Sequence, residues 1–292
     1  VNLSSPPVII VGAPRSGTNI LRDTIVSVKP FITWSCDEIN HVWHFGQSNV
    51  SNYDDLPVSS LNSDIKYYIR KRFCSLAASS NVESPIVVEK TCANCLRLPF
   101  VDAIFPNAKY IYIRRQPLPV IFSAMKRWTS SPNLSYSLKK LLHIPASSAI
   151  PVLFNFTLMR AKQFFSPESL LPNWGPSFYD LDVLKETYSL EKVCALQWSR
   201  CVASAEQFLF NNLDHSRVAA ISYEDFVLNP FHTLSIALDH LQLSDLIIED
   251  ELRMASTFVH KDSLTTSCPL DSDKKNDLIA YLDSLDTPNY LL

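Results

Sequence analysis

Two stretches of this chain carry residue types at spacings suited to holding an anion and working on it. The first is Val8-Ile9-Ile10-Val11-Gly12-Ala13-Pro14-Arg15-Ser16-Gly17-Thr18-Asn19. Its β-branched run predicts a strand buried on both faces of a parallel sheet, and Leu21, Ile25 and Val28 recur behind it at helical spacing. Two of the four glycines in the chain, Gly12 and Gly17, bound the loop between. A strand, a glycine-bounded loop and a helix N-terminus aim backbone N–H groups and the positive end of a helix dipole at one spot, which suits a phosphate or sulfate. The loop nearly reads GxxxxGK[ST]. Thr18, however, takes the place of the phosphate-gripping lysine, and Asn19 that of the magnesium-binding hydroxyl. Arg15 supplies instead a planar, permanently charged fork. This exchange weighs against a kinase or ATPase.

The second stretch is Phe105 to Arg115, a turn and a β-rich strand that finishes in two arginines. Gln116 to Trp128 continues as a helix, with Pro117 and Pro119 placed in its approach and first turn. Ser123 and Arg127, four apart, share one face of it. Between the two stretches, Ser84 to Thr91 is a buried-type strand ending in Lys90, which is either paired with an acid or placed at a ligand. Asp37-Glu38 follows a short apolar strand over Ile32–Trp34, at the sheet edge where open α/β folds bind ligands.

Taken together, Gly12-Ala13-Pro14-Arg15-Ser16-Gly17-Thr18-Asn19 resembles the phosphosulfate-binding loop of sulfotransferases that use 3′-phosphoadenosine 5′-phosphosulfate (PAPS). The motif spacing is most similar to the protein-tyrosine and bacterial types. The resemblance implies that Arg15, Ser16, Gly17, Thr18 and Asn19 bind the donor, and that Arg115, Ser123 and Arg127 grip its 3′-phosphate. It also implies that Lys90 contacts the transferring sulfo group with Arg15 and that Glu38 is the catalytic base. Cys36-Asp37-Glu38 is offset by one residue from the family's acidic pair, which keeps Asp37 in play; His41 or His44 would serve in the histidine-based branch. The stretch Ser222-Tyr223-Glu224-Asp225 resembles a family segment whose tyrosine lies near the adenosine, so Tyr223 either contacts the donor or simply packs. Gln116-Pro117-Leu118-Pro119 departs from the polar turn usual after the arginine. Lys261, Lys274 and Lys275 are candidates for further donor contacts near the C-terminus.

The elements that must position these residues predict an α/β fold: a central parallel sheet with helices on both faces and a P-loop-like phosphosulfate loop. With 292 residues the chain fits a single domain, with 129–189, rich in proline, as an insertion on the acceptor side. Helices are expected over Ile65–Ala78, Leu98–Phe105, Leu190–Phe210, Phe231–Leu243 and Asp273–Leu285, and a strand and turn over Arg217–Phe226. A net charge of −3 names no nucleic-acid partner, whereas the absence of any acid from Ala103 to Pro167 favours an anionic donor and an anionic glycan among the acceptors. A basic and apolar stretch, Leu138 to Phe165, reads as packing over the core rather than as membrane contact. No apolar run reaches membrane-spanning length. Seven scattered cysteines read as reduced thiols, and Cys92-x-x-Cys95 lacks the second pair a zinc site needs. The expected place is the cytoplasm, the alternative a luminal domain cut from an anchor; sequons at Asn2, Asn49, Asn133 and Asn155 do not decide it.

The expected reaction moves the sulfo group of PAPS in line to an acceptor hydroxyl of a carbohydrate, a tyrosyl protein or a small alcohol, without a metal. The rival readings are a nucleotide-dependent kinase on a variant loop and a non-catalytic nucleotide-binding module. The oligomeric state is not legible.

Overall fold

A computed structural model describes residues 3–47, 53–130, 174–264, 266–285 and 287. Five parallel strands form one sheet in the order β2-β3-β1-β4-β5, with β1 at Val8–Val11, β2 at Phe31–Ile32, β3 at Ile86–Lys90, β4 at Lys109–Arg114 and β5 at Val218–Ser222. In register, Ile10 lies beside Lys90 on one side and Ile111 on the other, so β1 is central and its loop opens between β3 and β4.

The alternation of β1 decides the layers. Ile9 and Val11 face a core shared with α3 (Ser63–Ser79), α4 (Leu98–Ile104) and α7 (Leu190–Asn211). Val8 and Ile10 face the opposite core, built from α1 (Thr18–Val26), α8 (Tyr223–Leu228), α9 (Pro230–His240) and α10 (Glu249–Ser256). A strand apolar on both sides is thus sandwiched between two helical layers, as its composition requires. A third apolar cluster gathers α5 (Pro117–Trp128), α6 (Leu181–Thr187) and α11 (Ser272–Ser284) against α7. One short helix, α2 (Asn40–Trp43), buries Trp43 beside Phe73 and Phe105.

The expected parallel sheet with helices on both faces is found. Three local differences have physical reasons. The strand expected over Ile32–Trp34 is two residues long and begins at Phe31, because Thr33 turns its hydroxyl to the Val88 carbonyl (2.8 Å) and leaves the ladder. The turn expected after β5 is helix α8, capped by the Ser222 hydroxyl, which accepts the Asp225 N–H at 3.0 Å. Helices α2, α6 and α10 were not expected; each spans only one or two turns, too short for a periodic signal. Most of the 129–189 segment, the four sequons and the Leu138–Phe165 stretch lie outside the described residues. No helix among the described residues is long and apolar enough to cross a membrane.

Candidate active site

The loop after β1 has the build of an anion cradle. Gly12 is forced by crowding, since a Cβ there would sit 2.8 Å from the Ile113 side chain and its carbonyl oxygen. Arg15 and Gly17 both have left-handed backbones (φ 71° and 90°), which turn the chain back on itself before α1. Gly17 caps α1 without any side-chain hydrogen bond, so the cap itself leaves the first-turn N–H groups open to a ligand. The Ser16 hydroxyl is buried and has no partner among the described residues. Thr18 is buried, and Asn19 is exposed on the first turn of α1.

Three guanidiniums converge on this loop. The exposed Arg15 donates from Nε to the Ser123 hydroxyl at 2.8 Å. Arg115, at the carboxyl end of β4, donates to the Arg15 carbonyl at 3.1 Å and lies 4.2 Å above the ring of Tyr223. That ring packs on Gly17, where a Cβ would meet it at 2.2 Å. Arg127, one turn beyond Ser123 on α5, is exposed and close enough to act on Arg15. Partial desolvation against the folded loop first, then repulsion from Arg127 and Arg115, lowers the Arg15 pKa. Period-two alternation sorts the two arginines that end β4. Arg114 turns inward to the buried Glu206 at 2.9 Å, and Arg115 turns to the loop.

Across the loop stands an acid–base pair. Lys90, at the end of β3 and almost wholly buried, donates to Glu38 Oε1 at 3.0 Å, and the Cys92 N–H reaches the same oxygen at 3.3 Å. Burial works to raise the Glu38 carboxyl, but the charge and hydrogen bond of Lys90, with Cys92 behind them, outweigh it and hold the group below its ordinary value. Burial works to lower Lys90; its acidic neighbours, Glu38 among them, more than compensate, and its pKa is raised. The Cys92 thiol lies 3.5 Å from the Thr18 hydroxyl, which joins this pair to the loop. The sequence left Lys90 between an acid partner and a ligand; in this structure its partner is the very carboxylate singled out as a base.

The other candidate bases are engaged elsewhere. Asp37 meets Arg22 at 3.4 Å, and His44 meets Asp54 at 2.9 Å, while His41 is half-buried on α2. Sequence reasoning missed Arg22, which also donates to the Asp37 carbonyl at 3.1 Å and so fastens the acidic turn to α1. The signal was available: Arg22 follows Thr18 by four residues, on the same helical face. Lys261 lies in a short 3₁₀ turn, and Lys274 and Lys275 at the start of α11. Nearer the arginines, Thr266 accepts from Arg115 at 3.4 Å and Ser267 from Lys126 at 2.7 Å. Cys92 and Cys95 turn to different neighbours, Thr18 and Cys201, and no metal-binding group of three appears among the described residues.

A family model described as "Sulfotransferase family" matches residues 6–162, just over half of the chain. No curated protein sequence matches it. Among solved structures, the chain is similar to sulfotransferase STF9 from Mycobacterium avium, at 11% identity and a TM-score of 0.54, over 98% of this chain and 78% of that one. The sulfotransferase domain from the curacin biosynthetic pathway is 18% identical with a TM-score of 0.49, over 98% and 100% of the two chains. Mouse sulfotransferase SULT7A1, solved with PAP, is 12% identical with a TM-score of 0.48, over 98% and 86%. Of the three, only the Mycobacterium avium protein exceeds a TM-score of 0.5, and at its identity it speaks for the fold alone.

Proposed function

Since the chain belongs to the sulfotransferase family, we propose that it transfers a sulfo group from PAPS to an acceptor hydroxyl, with Glu38 as proton acceptor. The observation that carries this reading is the meeting, at one sheet edge, of Arg15, Arg115 and Arg127 with a glycine-capped helix start and a lysine–carboxylate pair. Arginines held together against their repulsion ask for an anion of high charge density. The buried hydroxyl of Ser16, without a partner among the described residues, and the N–H groups that Gly17 leaves uncapped fit the same demand.

PAPS, when bound, supplies an activated sulfo group on a phosphate leaving group. The loop N–H groups, Ser16, Thr18 and Arg15 would hold its 5′ end, and Arg115, Ser123 and Arg127 its 3′-phosphate. Tyr223, fixed between Gly17 and Arg115, offers a flat face for the adenosine. Glu38 is ionised at neutral pH because Lys90 holds its pKa down, so it stands ready to take the acceptor proton at Oε1 or Oε2. Once it does, the ammonium of Lys90 loses its counter-charge while still in place, and becomes available to negative charge that develops beside it. Lys90 is therefore neutralised at rest and electrostatically exposed only as the proton moves, which is the condition for stabilising a transition state more than a ground state.

We also propose that the chain is a single domain in which 129–189 lies on the acceptor side, the acceptor being a carbohydrate, a tyrosyl protein or a small alcohol. None of its seven thiols is in a disulfide, which suits a reducing compartment. The test is calorimetric titration with adenosine 3′,5′-bisphosphate beside ATP and ADP, without magnesium. Micromolar or tighter binding of the bisphosphate alone is expected. A preference for ATP that appears only with magnesium would overturn the reading.

A further inference from the structure

The strand that delivers Lys90 to the site has a second, inward face. Along β3 and its continuation, Lys90 and Cys92 point to the loop and to Glu38, while the alternate residues Glu89 and Thr91 point the other way, to the buried side of Trp43. There the Thr91 hydroxyl donates to Glu89 Oε1 at 2.5 Å and accepts the Ile39 N–H at 3.3 Å. Ile39 is the residue after Glu38. The other Glu89 contacts are the Trp43 indole N–H at 3.2 Å and the Asn94 amide at 2.7 Å, so the carboxylate is locked from three sides. On the opposite flank of Glu38, Arg22 holds the Asp37 carbonyl at 3.1 Å. Glu38 itself is therefore pinned at the peptide before it and the peptide after it, from α1 and from β3.

Resting on the reading of Glu38 as proton acceptor, we propose that Thr91, oriented by the buried Glu89, is a positioning residue that holds the Glu38 main chain through the Ile39 N–H. Glu89 touches neither donor nor acceptor in this scheme. Its carboxylate fixes the Thr91 proton, which leaves a Thr91 lone pair for Ile39 and sets the direction of the relay. The same strand then supplies both halves of the pair: Lys90 directly, and Glu38 by way of the residues on either side of Lys90. Precision of this order matters because a base displaced by about 1 Å can lose on the order of a hundredfold in rate.

The test compares Thr91→Val, Thr91→Ser and Glu89→Gln with the wild-type chain, using two readouts that need no acceptor. The first is amide hydrogen exchange at Ile39. The second is the titration of Glu38, followed by side-chain ¹³C resonances of labelled glutamates and assigned with Glu38→Gln. Thr91→Val should speed exchange at Ile39 about tenfold or more, and raise the Glu38 midpoint by roughly one pH unit as its hold on Lys90 and Cys92 loosens. Exchange in β1 and β4 should stay unchanged. Thr91→Ser, which keeps the hydroxyl, should restore both values, and Glu89→Gln should move them the same way by less. Unchanged exchange and an unchanged Glu38 midpoint in both Thr91→Val and Glu89→Gln would overturn the proposal. So would Thr91→Ser behaving like Thr91→Val. Failure of the wild-type chain to bind adenosine 3′,5′-bisphosphate would instead sink the donor assignment, and the two readouts would still judge the clamp.

Discussion

Two polar clusters lie on opposite sides of β3, and they differ in whether they are balanced. Behind the strand, Arg97 is fully buried yet donates to Asp54 (3.3 Å), Asn94 (2.9 Å) and Asn40 (2.5 Å). Asp54 in turn accepts from Asn40, meets His44, and takes the Ser177 N–H, each within 2.9 Å. In front of it, Lys90 pairs with Glu38, but Arg15 donates to a hydroxyl, and neither Arg15 nor Arg127 makes an ion pair among the described residues. A network whose members answer one another specifies a unique packing and asks nothing of solvent. A cluster of like charges keeps its electrostatic energy in reserve for a ligand. The difference separates residues that hold the structure from those we assign to the donor, while the Lys90–Glu38 pair is balanced until its proton moves.

That contrast breaks most sharply at Glu38. Glu38→Gln should cut sulfo transfer by about two to four orders of magnitude, with bisphosphate affinity changed by no more than about twofold. Transfer of labelled sulfate and calorimetry together check it, and equal losses in both would place Glu38 among the donor contacts instead. Lys90→Ala and Arg15→Ala should likewise lose transfer more than donor binding.

Next in size, Arg127→Ala should weaken bisphosphate binding about ten- to a hundredfold, the worth of one charge-assisted contact, and Ser123→Ala by less. The Arg127 loss should shrink as salt is raised, since that side chain is exposed. An affinity untouched by Arg127→Ala would mean that the three arginines are not a single site.

How much of this was legible follows from which forces act locally. β1 and β3 could be read because β-branched runs have no other comfortable conformation, and the loop because Gly12 and Gly17 stand at fixed offsets from Arg15. Helix α8 was missed although Ser222-x-x-Asp225 is a capping signal, since six residues give no apolar period to confirm it. Arg114 and Arg115 were equivalent on paper. Only the sheet, by setting which face β4 turns to Glu206, tells them apart. The network behind β3 was invisible for a different reason. Asp54 and Arg97 are 43 positions apart, and Glu89 follows three apolar strand residues, so nothing local pairs them. Nor could spacing show that Lys90 meets Glu38, 52 positions away.

The smallest effect expected is on stability, and its sign tests whether the rear cluster is as self-contained as its bonds imply. Asp54 is held down to about 2: burial pushes it up, but His44, Arg97 and its other donors prevail. A carboxyl with a depressed folded value stabilises the protein above its unfolded value, near 3.8, and that contribution drains away as pH falls toward 2. It amounts to roughly 2 kcal/mol. Glu89 runs the other way. Burial lifts it to about 7, so the stability it brings is full below about 4.5 and is lost as pH rises through 7. Denaturant unfolding from pH 2 to 8 should therefore show wild-type stability falling at both ends. Asp54→Asn should flatten the acid limb and Glu89→Gln the neutral one. Because neither group is among the residues we assign to the donor, adenosine 3′,5′-bisphosphate should raise the curve near neutrality without moving the acid limb. An acid limb that shifted with the bisphosphate would mean that the two clusters share their charges across β3, and the division between them would have to be withdrawn.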